Sequence, residues 1–495
     1  MNAAVSKHNP MGSRNFGPAR SYTTRPERAF KRAPTGPRRG VEKSERTPSH
    51  EDSSISSTSD ARALGTTNRK KGKDMKDWNE FTHFAGIDWA KNKHEVAILD
   101  QTGKIVARFT LTHDAAGWQN WNQSIASYRG NLAVCVETNQ GAVIERLLQS
   151  DCSVYPVHPP RAKQYRQRKI SSGNKTDFVD AWSLADALRM DGCSWRALGP
   201  SDPLINELRL LCRDEEAFIE QRTALVNQLQ QALYEYYQTA LDAFEEWTLP
   251  SAWAFVERFP TPELLIAAGK RMWQKFLHTH RLAQPKTFAK RLDVFAKADR
   301  FLVRSEISRA KSRQVLTLIR LLRALESQLD AYRDEIERLF AQHSDCDLYR
   351  SLPGVGKKLG PRLLGEIGSD RSMFSSSQAL QSVAGTAPVS YQSGQIHKVY
   401  LRRHCNKFLR HTVHLWADLS RARSPWAQTY YQQQRSRGRS HACAIRALGQ
   451  RWLKILWKMW VSNTSYNPDF HTKNQLEHGS WVLKLLTQSP NSLSQ

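Results

Sequence analysis

The stretch FAGIDWAKNKHEVAILDQTGKIVARFTL, residues 84–111, contains the pattern that decides the fold of the first half of the chain. It reads as three strands, FAGIDWA, HEVAILD and IVARFTL, with the tight turn QTGK between the last two. Helical spacing follows over 114–128, then a buried strand NLAVCVE at 131–137, a helix over 141–150 and a strand at 153–159. This order, β-β-β-α-β-α-β, predicts a mixed α/β sheet.

Acidic residues fall at matched places in this pattern. Asp88 lies in the first strand, and Glu137 ends the strand that we expect beside it. The segment KTDFVDA (175–181) puts Asp177 and Asp180 on one face of the next helix. Three antiparallel strands followed by α/β alternation is the pattern of RNase H-like folds, a likeness that concerns the fold alone until a site supports it. We therefore expect the four carboxylates to converge at one edge of the sheet.

Four carboxylates at one place repel one another and are costly to desolvate unless cations neutralise them. Mg²⁺ or Mn²⁺ prefers such oxygen ligands, and a pair of these ions can clamp a phosphoryl displacement. Each acid alone has a simpler interpretation, Asp88 as a strand-end turn residue and Asp180 as a charge on a helix surface. The ordered set favours a divalent-metal site made of Asp88, Glu137, Asp177 and Asp180.

The composition favours a polyanionic partner. The 495 residues carry a formal net charge of +26 and a pI near 9.9, which points most often to nucleic acid. Seven scattered cysteines without a C-x-x-C pair argue against a disulfide framework or a zinc ribbon and suit a reducing cytosol. No apolar run reaches the length of a membrane span, and the N-terminus lacks the apolar core of a secretory signal, so we expect no membrane partner.

The chain divides into segments by composition. Residues 1–80 carry many Ser, Thr, Pro, Gly and charged residues but few aliphatics, so we expect a disordered basic arm, either a non-specific nucleic-acid contact or an inert leader. Residues 81–200 hold the predicted sheet and the acids. Apolar residues at heptad spacing within 201–345 predict two long helices in an antiparallel coiled coil, within one chain or across a dimer. A compact helical insert, 246–304, lies between them.

The second half of the chain reads as a basic, mostly helical domain over 346–465 and a loose tail over 466–495. LPGVGKKLGPRLLGEIG (352–368) resembles a helix-hairpin-helix turn whose glycines let the backbone approach a phosphate, with a packed core turn as the alternative. The Trp-rich helix RWLKILWKMW is expected to be core or oligomer packing. The histidines at 404, 411 and 414 are interpreted as surface residues and not metal ligands. The predicted nucleic-acid contacts are cationic: Lys357, Lys358, Arg362, Arg402, Arg403, Lys407 and Arg410.

With these motifs the chain resembles the IS110 family of DEDD transposases, and its C-terminal half is most similar to the IS1111 branch of that family. The motifs of the first half are GIDWAKNKHEVAILD, VETNQGA and KTDFVDAWSLAD. Those of the second half are LPGVGKKLGPRLLGEIG, FSSSQALQSVAGTAPVSYQSG and VYLRRHCNKFLRHTVHLWA. The resemblance runs from about residue 84 to 470 and leaves the arm outside.

The resemblance implies a RuvC-like N-terminal domain that carries the four acids named above, and a C-terminal transposase domain with a serine in the pattern A-G-x-x-P-x-x-x-x-S-G. That pattern reads AGTAPVSYQSG here and puts the serine at Ser393, with Ser390 as the competing hydroxyl. The resemblance further implies that this serine attacks DNA and forms a phosphoserine link. The metal ions would activate the serine and the phosphate. The family also implies guidance by a structured RNA from the element's non-coding end, which would pair with donor and target DNA.

The resulting fold class is α/β plus α: an RNase H/RuvC-like domain, long coiled-coil helices and a mostly helical C-terminal domain. The function that we expect is an RNA-guided, Mg²⁺- or Mn²⁺-dependent DNA recombinase that moves an insertion element. It would act as a homodimer or homotetramer on donor and target DNA, in a prokaryotic cytoplasm and on the nucleoid. One alternative is a RuvC-like endonuclease that uses the acids alone and still cuts DNA as Ser393→Ala. Another is a non-catalytic nucleic-acid-binding regulator, which Asp88→Ala would leave unchanged.

Overall fold

The structure is a computed structural model that describes residues 76–138, 141–169, 176–199, 202–482 and 485. The predicted basic arm lies outside these residues except for its last five. Among the described helices, none is long and apolar enough to cross a membrane.

The N-terminal domain is built on a five-stranded mixed sheet. Its strands are β1 (His83–Asp88), β2 (Lys93–Asp100), β3 (Ile105–Thr112), β4 (Leu132–Val136) and β5 (Ser153–Pro156), arranged in the order β3-β2-β1-β4-β5. The first three strands pair antiparallel, whereas β4 pairs parallel with β1 and β5 pairs parallel with β4. The predicted β-β-β-α-β-α-β order is confirmed.

Helices cover both faces of this sheet. They are α1 (Ala115–Ser124), α2 (Ala142–Leu148), α3 (Pro159–Lys169) and α4 (Asp177–Asp191). Strand residues alternate between the faces, so Ile87 packs in one core with Trp121 of α1. Phe84 and Cys135 point the other way and pack in a second core with Leu184 of α4. The face that carries α4 is the one that bears on the site.

Two long helices follow, α5 (Pro203–Tyr234) and, after the insert, α10 (Ser305–Gln342). They run antiparallel, since Arg222 Nη1 lies 3.1 Å from Glu326 Oε2 while Phe218 and Tyr332 have ring centroids 5.3 Å apart. The predicted insert between them consists of α6 (Gln238–Ala243), α7 (Pro250–Arg258), α8 (Pro262–Thr279) and α9 (Pro285–Ala296).

The long helices do not form a domain of their own, because each end belongs to a different core. At one end Leu229 of α5 and Val315 of α10 pack with the insert. At the other end Leu208 of α5 and Leu339 of α10 pack with the C-terminal helices. The segment predicted as one domain at 201–345 is therefore shared between two cores.

The C-terminal domain is helical apart from one hairpin. Its elements are α11 (Cys346–Arg350), α12 (Gly356–Ile367), α13 (Ser377–Val383), β6 (Val389–Ser393), β7 (Ile396–Tyr400), α14 (Lys407–Ser420), α15 (Pro425–Ser436), α16 (His441–Ser462) and α17 (Pro468–Glu477). Trp452 and Trp460 of α16 are fully buried in the core, as expected for core packing of the Trp-rich helix.

The loose tail predicted from residue 466 onward is wrong for residues 466–482. The backbone N–H of Tyr466 donates a hydrogen bond to Ser351 Oγ at 2.8 Å, and the rings of Trp426 and His471 lie 5.1 Å apart. Val482 is 3% exposed in the same core. The sequence gives little sign of this packing because polar residues separate its few aromatic contacts.

Candidate active site and nucleic-acid interface

Two of the four predicted acids lie side by side at the carboxyl ends of parallel strands. Asp88 is the last residue of β1, and Glu137 directly follows β4. The register pairs Ile87 with Val136, so each acid comes one residue beyond the last matched pair. Strand alternation puts both on the face that α4 covers. Asp88 and Glu137 thus lie at one edge of the sheet, and the convergence of all four acids there stays a prediction.

The other two acids lie in the first turn of α4. Thr176 caps this helix by accepting a hydrogen bond from the backbone N–H of Val179 at 3.2 Å. Asp177 and Asp180 follow the cap, where the helix macrodipole favours negative charge. Asp177 is exposed, whereas Asp180 is only 6% exposed.

A glycine fixes how closely this turn approaches β1. A Cβ added to Gly86 would lie 2.0 Å from the carbonyl oxygen of Ala181 and 2.5 Å from the backbone nitrogen of Ala185. Helix α4 therefore rests directly on the backbone of β1, two residues before Asp88. Because Ala181 follows Asp180, the first turn of α4 lies next to the strand end that carries Asp88.

Basic side chains of α3 pair with two buried acids of α4, Asp180 and Asp186. Arg166 forms an ion pair with the buried carboxylate of Asp180. Further along, Lys169 Nζ lies 2.7 Å from Asp186, which also accepts hydrogen bonds from Arg189. Burial opposes ionisation of Asp186, but the hydrogen bonds from the two cations lower its pKa. Sequence reasoning missed these pairs, because 14 residues separate Arg166 from its partner.

The donor chemistry of the four carboxylates suits a hard divalent cation. Asp88 and Glu137 lie at one end of the sheet, and Asp177 and Asp180 lie in the first turn of the helix that covers the same face. Their distances do not make a formed metal centre. Among the residues that the structure describes, no three His, Cys, Asp or Glu side chains lie close enough together to hold a metal ion. The Arg166 guanidinium supplies the charge that neutralises Asp180 instead.

An aromatic cluster supports the end of β1 that carries Asp88. Trp89 stacks on His94 with ring centroids 3.8 Å apart, and His113 closes the cluster from the next strand. His94 is fully buried, and its Nδ1 accepts a hydrogen bond from the backbone N–H of Ala90. Burial, together with the nearby His113, lowers the pKa of His94 to about 4. His94 lies two residues before Val96 in β2 and so faces the same side of the sheet. This alternation was the signal that could have predicted the burial of His94.

The serine motif lies on the isolated hairpin of β6 and β7. Ser393 ends β6 opposite Ile396, next to the turn at Gly394, whose φ is +56°. Ser390 lies opposite Val399. Since opposed residues share a face and successive residues alternate, the two candidate hydroxyls are on opposite faces of the hairpin.

The N-terminal domain reaches the C-terminal domain near this hairpin. The rings of His158, after β5, and His404, after β7, have centroids 6.2 Å apart. Elsewhere Arg196 donates a hydrogen bond to the carbonyl oxygen of Met373 at 2.9 Å. Such contacts hold the domain of the acids beside the domain of the serine within one chain.

The Pro-Gly-Val-Gly turn combines a packed glycine with an exposed one, the two alternatives that the sequence left open. Gly354 has a φ of +81°, and a Cβ there would lie 2.7 Å from the backbone nitrogen of Ser420, so this glycine serves packing against α14. Gly356 has open space around it, and Lys357 and Lys358 follow it on the surface at the start of α12. The second glycine and the lysines are placed where a phosphate could approach.

Arg362 is not available to nucleic acid, and the prediction that it makes such a contact is wrong for this structure. It is fully buried, its Nη2 lies 2.7 Å from Glu215 of α5, and it also pairs with Glu216. A charge placed in a core must be paired, and Arg362 joins α12 to α5 in this way. Its sequence surroundings, which contain other cations, resemble those of a surface residue.

Lys407 and Arg410 contribute to a basic cleft between α14 and α16. The cleft has a volume of about 230 Å³, and its other cationic or titratable lining residues are His411, His414 and Arg446. Burial lowers the pKa of His414, and although Asp418 opposes this effect, Arg446 adds to it. Arg446 was missed because it joins the cleft from a distant helix. Arg403 is exposed, whereas Arg402 donates a hydrogen bond to the carbonyl oxygen of Ala387 at 3.3 Å.

Two family models match the halves of the chain in which these features lie. The first, described as a transposase, matches residues 85–238. The second, described as a transposase of the IS116/IS110/IS902 family, matches residues 346–432. The first match spans the sheet and its acids, and the second spans the hairpin and the Pro-Gly-Val-Gly turn.

Curated proteins match as well, two of them over more than three quarters of this chain. The mini-circle putative transposase for IS117 of Streptomyces coelicolor is 34% identical over 392 residues, which cover 76% of this chain and 93% of that protein. An uncharacterized 42 kDa protein of insertion element IS900 from Mycobacterium paratuberculosis is 25% identical over 78% of this chain and 97% of its own length. A pilin gene-inverting protein of Moraxella bovis is 33% identical over 129 residues, 26% of this chain and 40% of that protein. The chain therefore belongs to the IS110 family of DEDD transposases, enzymes that cleave and rejoin DNA.

Proposed function

We propose that this transposase moves an insertion element by cutting and rejoining DNA through a link to Ser393, with a divalent-metal site at its four acids. The observation that carries the proposal is the common placement of Asp88, Glu137 and Asp180. Two lie at adjacent strand ends, and the third lies on a helix that rests against one of those strands. Asp177 lies on the same helical turn and is exposed.

The residues that would hold Mg²⁺ or Mn²⁺ are the four carboxylates named above, once Arg166 has left Asp180. When bound there, the ions would stabilise the charge that develops on the phosphate during strand transfer. The carboxylates would hold the ions at a fixed place, because they are attached to the ends of packed strands and to the first turn of a packed helix. Arg166 keeps the buried carboxylate of Asp180 neutralised beforehand, which removes the cost of an unpaired buried charge.

In the proposed reaction the Oγ of Ser393 forms a bond to the scissile phosphorus as the bond to a deoxyribose oxygen breaks. The serine proton leaves to solvent, and the departing oxygen takes up a proton. One phosphodiester replaces another, so rejoining needs no ATP. Ser393 is exposed next to a turn, where a DNA backbone can reach it. Ser390, on the opposite face of the hairpin, would not reach the same phosphate.

Nucleic acid would be held by the surface cations Lys357, Lys358, Arg403 and those of the cleft between α14 and α16. Guidance by an RNA of the element rests on the family resemblance and on the excess of positive charge. The coiled-coil pairing of α5 and α10, and a homodimer or homotetramer that holds donor and target together, belong to the same proposal.

A covalent-trapping experiment tests the proposal. The full-length protein is incubated with labelled DNA of the element's ends, its flanking RNA and Mg²⁺, and is then run on a denaturing gel. We expect a protein–DNA adduct that Ser393→Ala and Asp180→Asn both abolish. Ser390→Ala and Asp191→Asn, a substitution at the far end of α4, are the matched controls and should keep it.

The result also separates the alternatives. DNA cleavage that survives in Ser393→Ala without an adduct would identify a RuvC-like endonuclease and overturn the serine assignment. Binding without cleavage, unchanged by Asp180→Asn, would identify a regulator. In the same preparation Lys357→Ala with Lys358→Ala should weaken DNA binding and lower its salt dependence by about two counterions. An unchanged salt slope would assign the turn to packing alone.

A further inference from the structure

The hairpin of β6 and β7 carries large apolar side chains that are exposed along its whole length. All ten of its residues are exposed, and its sheet has no third strand among the described residues. Tyr391 is 54% exposed and Tyr400 is 52% exposed. A lone two-stranded hairpin is marginally stable in water, and exposed apolar patches mark binding sites.

One face of this hairpin combines aromatic rings, a cation and the candidate nucleophile. Tyr391 is opposite Lys398, Ser393 is opposite Ile396, and alternation puts all four with Tyr400 on the same side. The ring centroids of Tyr391 and Tyr400 are 6.4 Å apart with planes at 73°, as expected for diagonal neighbours on one face.

The charge around this face suits a polyanion. The sequence from residue 371 to residue 417 contains no Asp or Glu, so no carboxylate of this segment opposes Lys398. Arg402 and Arg403 lie two and three residues after the end of β7. Aromatic side chains beside cations are the surface on which proteins stack unpaired bases while holding the phosphate backbone. Paired bases have their faces covered by their neighbours, so only an unpaired base can use the two tyrosines.

We propose that this face seats an unpaired nucleotide of the DNA strand beside the scissile phosphate, with its base on Tyr391 and Tyr400 and its phosphate on Lys398. DNA, and not RNA, is the occupant because Ser393 lies two residues from Tyr391 on the same strand face. That separation is about 6.6 Å, a step of one extended nucleotide. The choice of occupant therefore rests on the proposed role of Ser393.

The test uses full-length protein in the Ser393→Ala form, so that cleavage does not interfere, and DNA with 2-aminopurine at each position around the cut. We expect one position to show strong fluorescence quenching on binding. Tyr391→Leu and Tyr400→Leu should remove the quenching and weaken binding of this DNA by roughly five- to a hundredfold. Tyr391→Phe should keep both properties. Val399→Ala, an equally exposed change on the opposite face, is the matched control and should change neither.

An abasic site at the quenched position distinguishes stacking from a general effect on the hairpin. The Ser393→Ala protein with Tyr391 and the same protein with Tyr391→Leu should bind that DNA equally well. Tyrosine variants that bind and quench like the Ser393→Ala parent would overturn the proposal, even if the adduct on Ser393 forms. Variants that lose only the binding of RNA would overturn DNA as the occupant. Suppose that quenching is seen but the protein that retains Ser393 forms no adduct with DNA. That result would support base stacking on the tyrosine face and refute the role of Ser393.

Discussion

Gly86 gives the sharpest test of how the acids are positioned, because it is the point at which α4 meets β1. An added Cβ would lie 2.0 Å from Ala181 O, 2.5 Å from Ala185 N and 2.9 Å from Leu184 Cβ. Contacts under 3.0 Å are essentially never seen for a real Cβ, and two of these three atoms are backbone that no rotamer change can move. In Gly86→Ala the helix must therefore withdraw from the strand by about 1 Å.

This displacement has two measurable consequences. Overpacking of a well-packed core costs about 1–3 kcal/mol, and we expect the upper end of that range because the backbone itself must shift. A misplacement of about 1 Å between groups that act together can also lower a rate by about a hundredfold. Gly86→Ala should thus lower the free energy of unfolding by about 3 kcal/mol and slow DNA cleavage by about two orders of magnitude.

The assay compares Gly86→Ala with Gly199→Ala, which has no atom within 4 Å of the added Cβ. Urea unfolding followed by tryptophan fluorescence gives the stability, and cleavage of labelled element ends gives the rate. Gly199→Ala should match the wild type in both. If Gly86→Ala matched it too, α4 would not rest on β1 as described, and the argument that Asp180 lies beside Asp88 would fail.

Three further perturbations test other parts of the site. Arg166→Gln should raise the affinity for Mn²⁺, measured by calorimetry, by about tenfold, because the cation no longer competes with a guanidinium for Asp180; an unchanged or lower affinity would contradict this. Arg362→Met removes the closest cation from buried Glu215, which is left with Arg333 at 3.7 Å, and should cost about 3 kcal/mol in urea unfolding, while the salt dependence of DNA binding stays unchanged; a lower salt slope would restore Arg362 as a DNA contact. The folded pKa of His94 is about 4 and its unfolded value is 6.5, so the unfolded chain binds the extra proton. Stability should therefore fall as the pH is lowered from 6.5 towards 4, and His94→Phe should flatten that slope in unfolding curves; equal slopes in both proteins would contradict the assignment.

The sheet and two of its acids could be predicted from sequence because their signals are local. Strand alternation and turn residues gave the strands, and parallel strands bring Asp88 and Glu137 to the same edge whatever the rest of the chain does. The helix of Asp180 was likewise predicted, from the three-residue spacing of Asp177 and Asp180. What could not be predicted was the distance between these groups, because that depends on a glycine contact between elements far apart in the chain.

The cations were harder to place than the acids. Arg362 and Lys358 are four residues apart in one helix, yet the first is buried against α5 and the second is exposed. Sequence spacing gives the helical face but not what covers it, and the covering helix begins some 150 residues earlier. Arg446 was missed as a residue of the basic cleft for the same reason. It belongs to α16, whereas the sequence pattern around Lys407 covers only α14.

The two halves of the proposed site differ in how firmly the fold holds them. Asp88 and Asp180 are attached to a packed strand and to the helix that rests on it, so their positions change only if that core changes. Ser393 is attached to a hairpin whose residues are all exposed and whose stability in isolation is marginal. On the proposed mechanism, DNA seated on the tyrosine face would supply the packing that the hairpin lacks. The serine would then be ordered only when its substrate is present, which protects other phosphodiesters from attack by a nucleophile fixed beside a metal site.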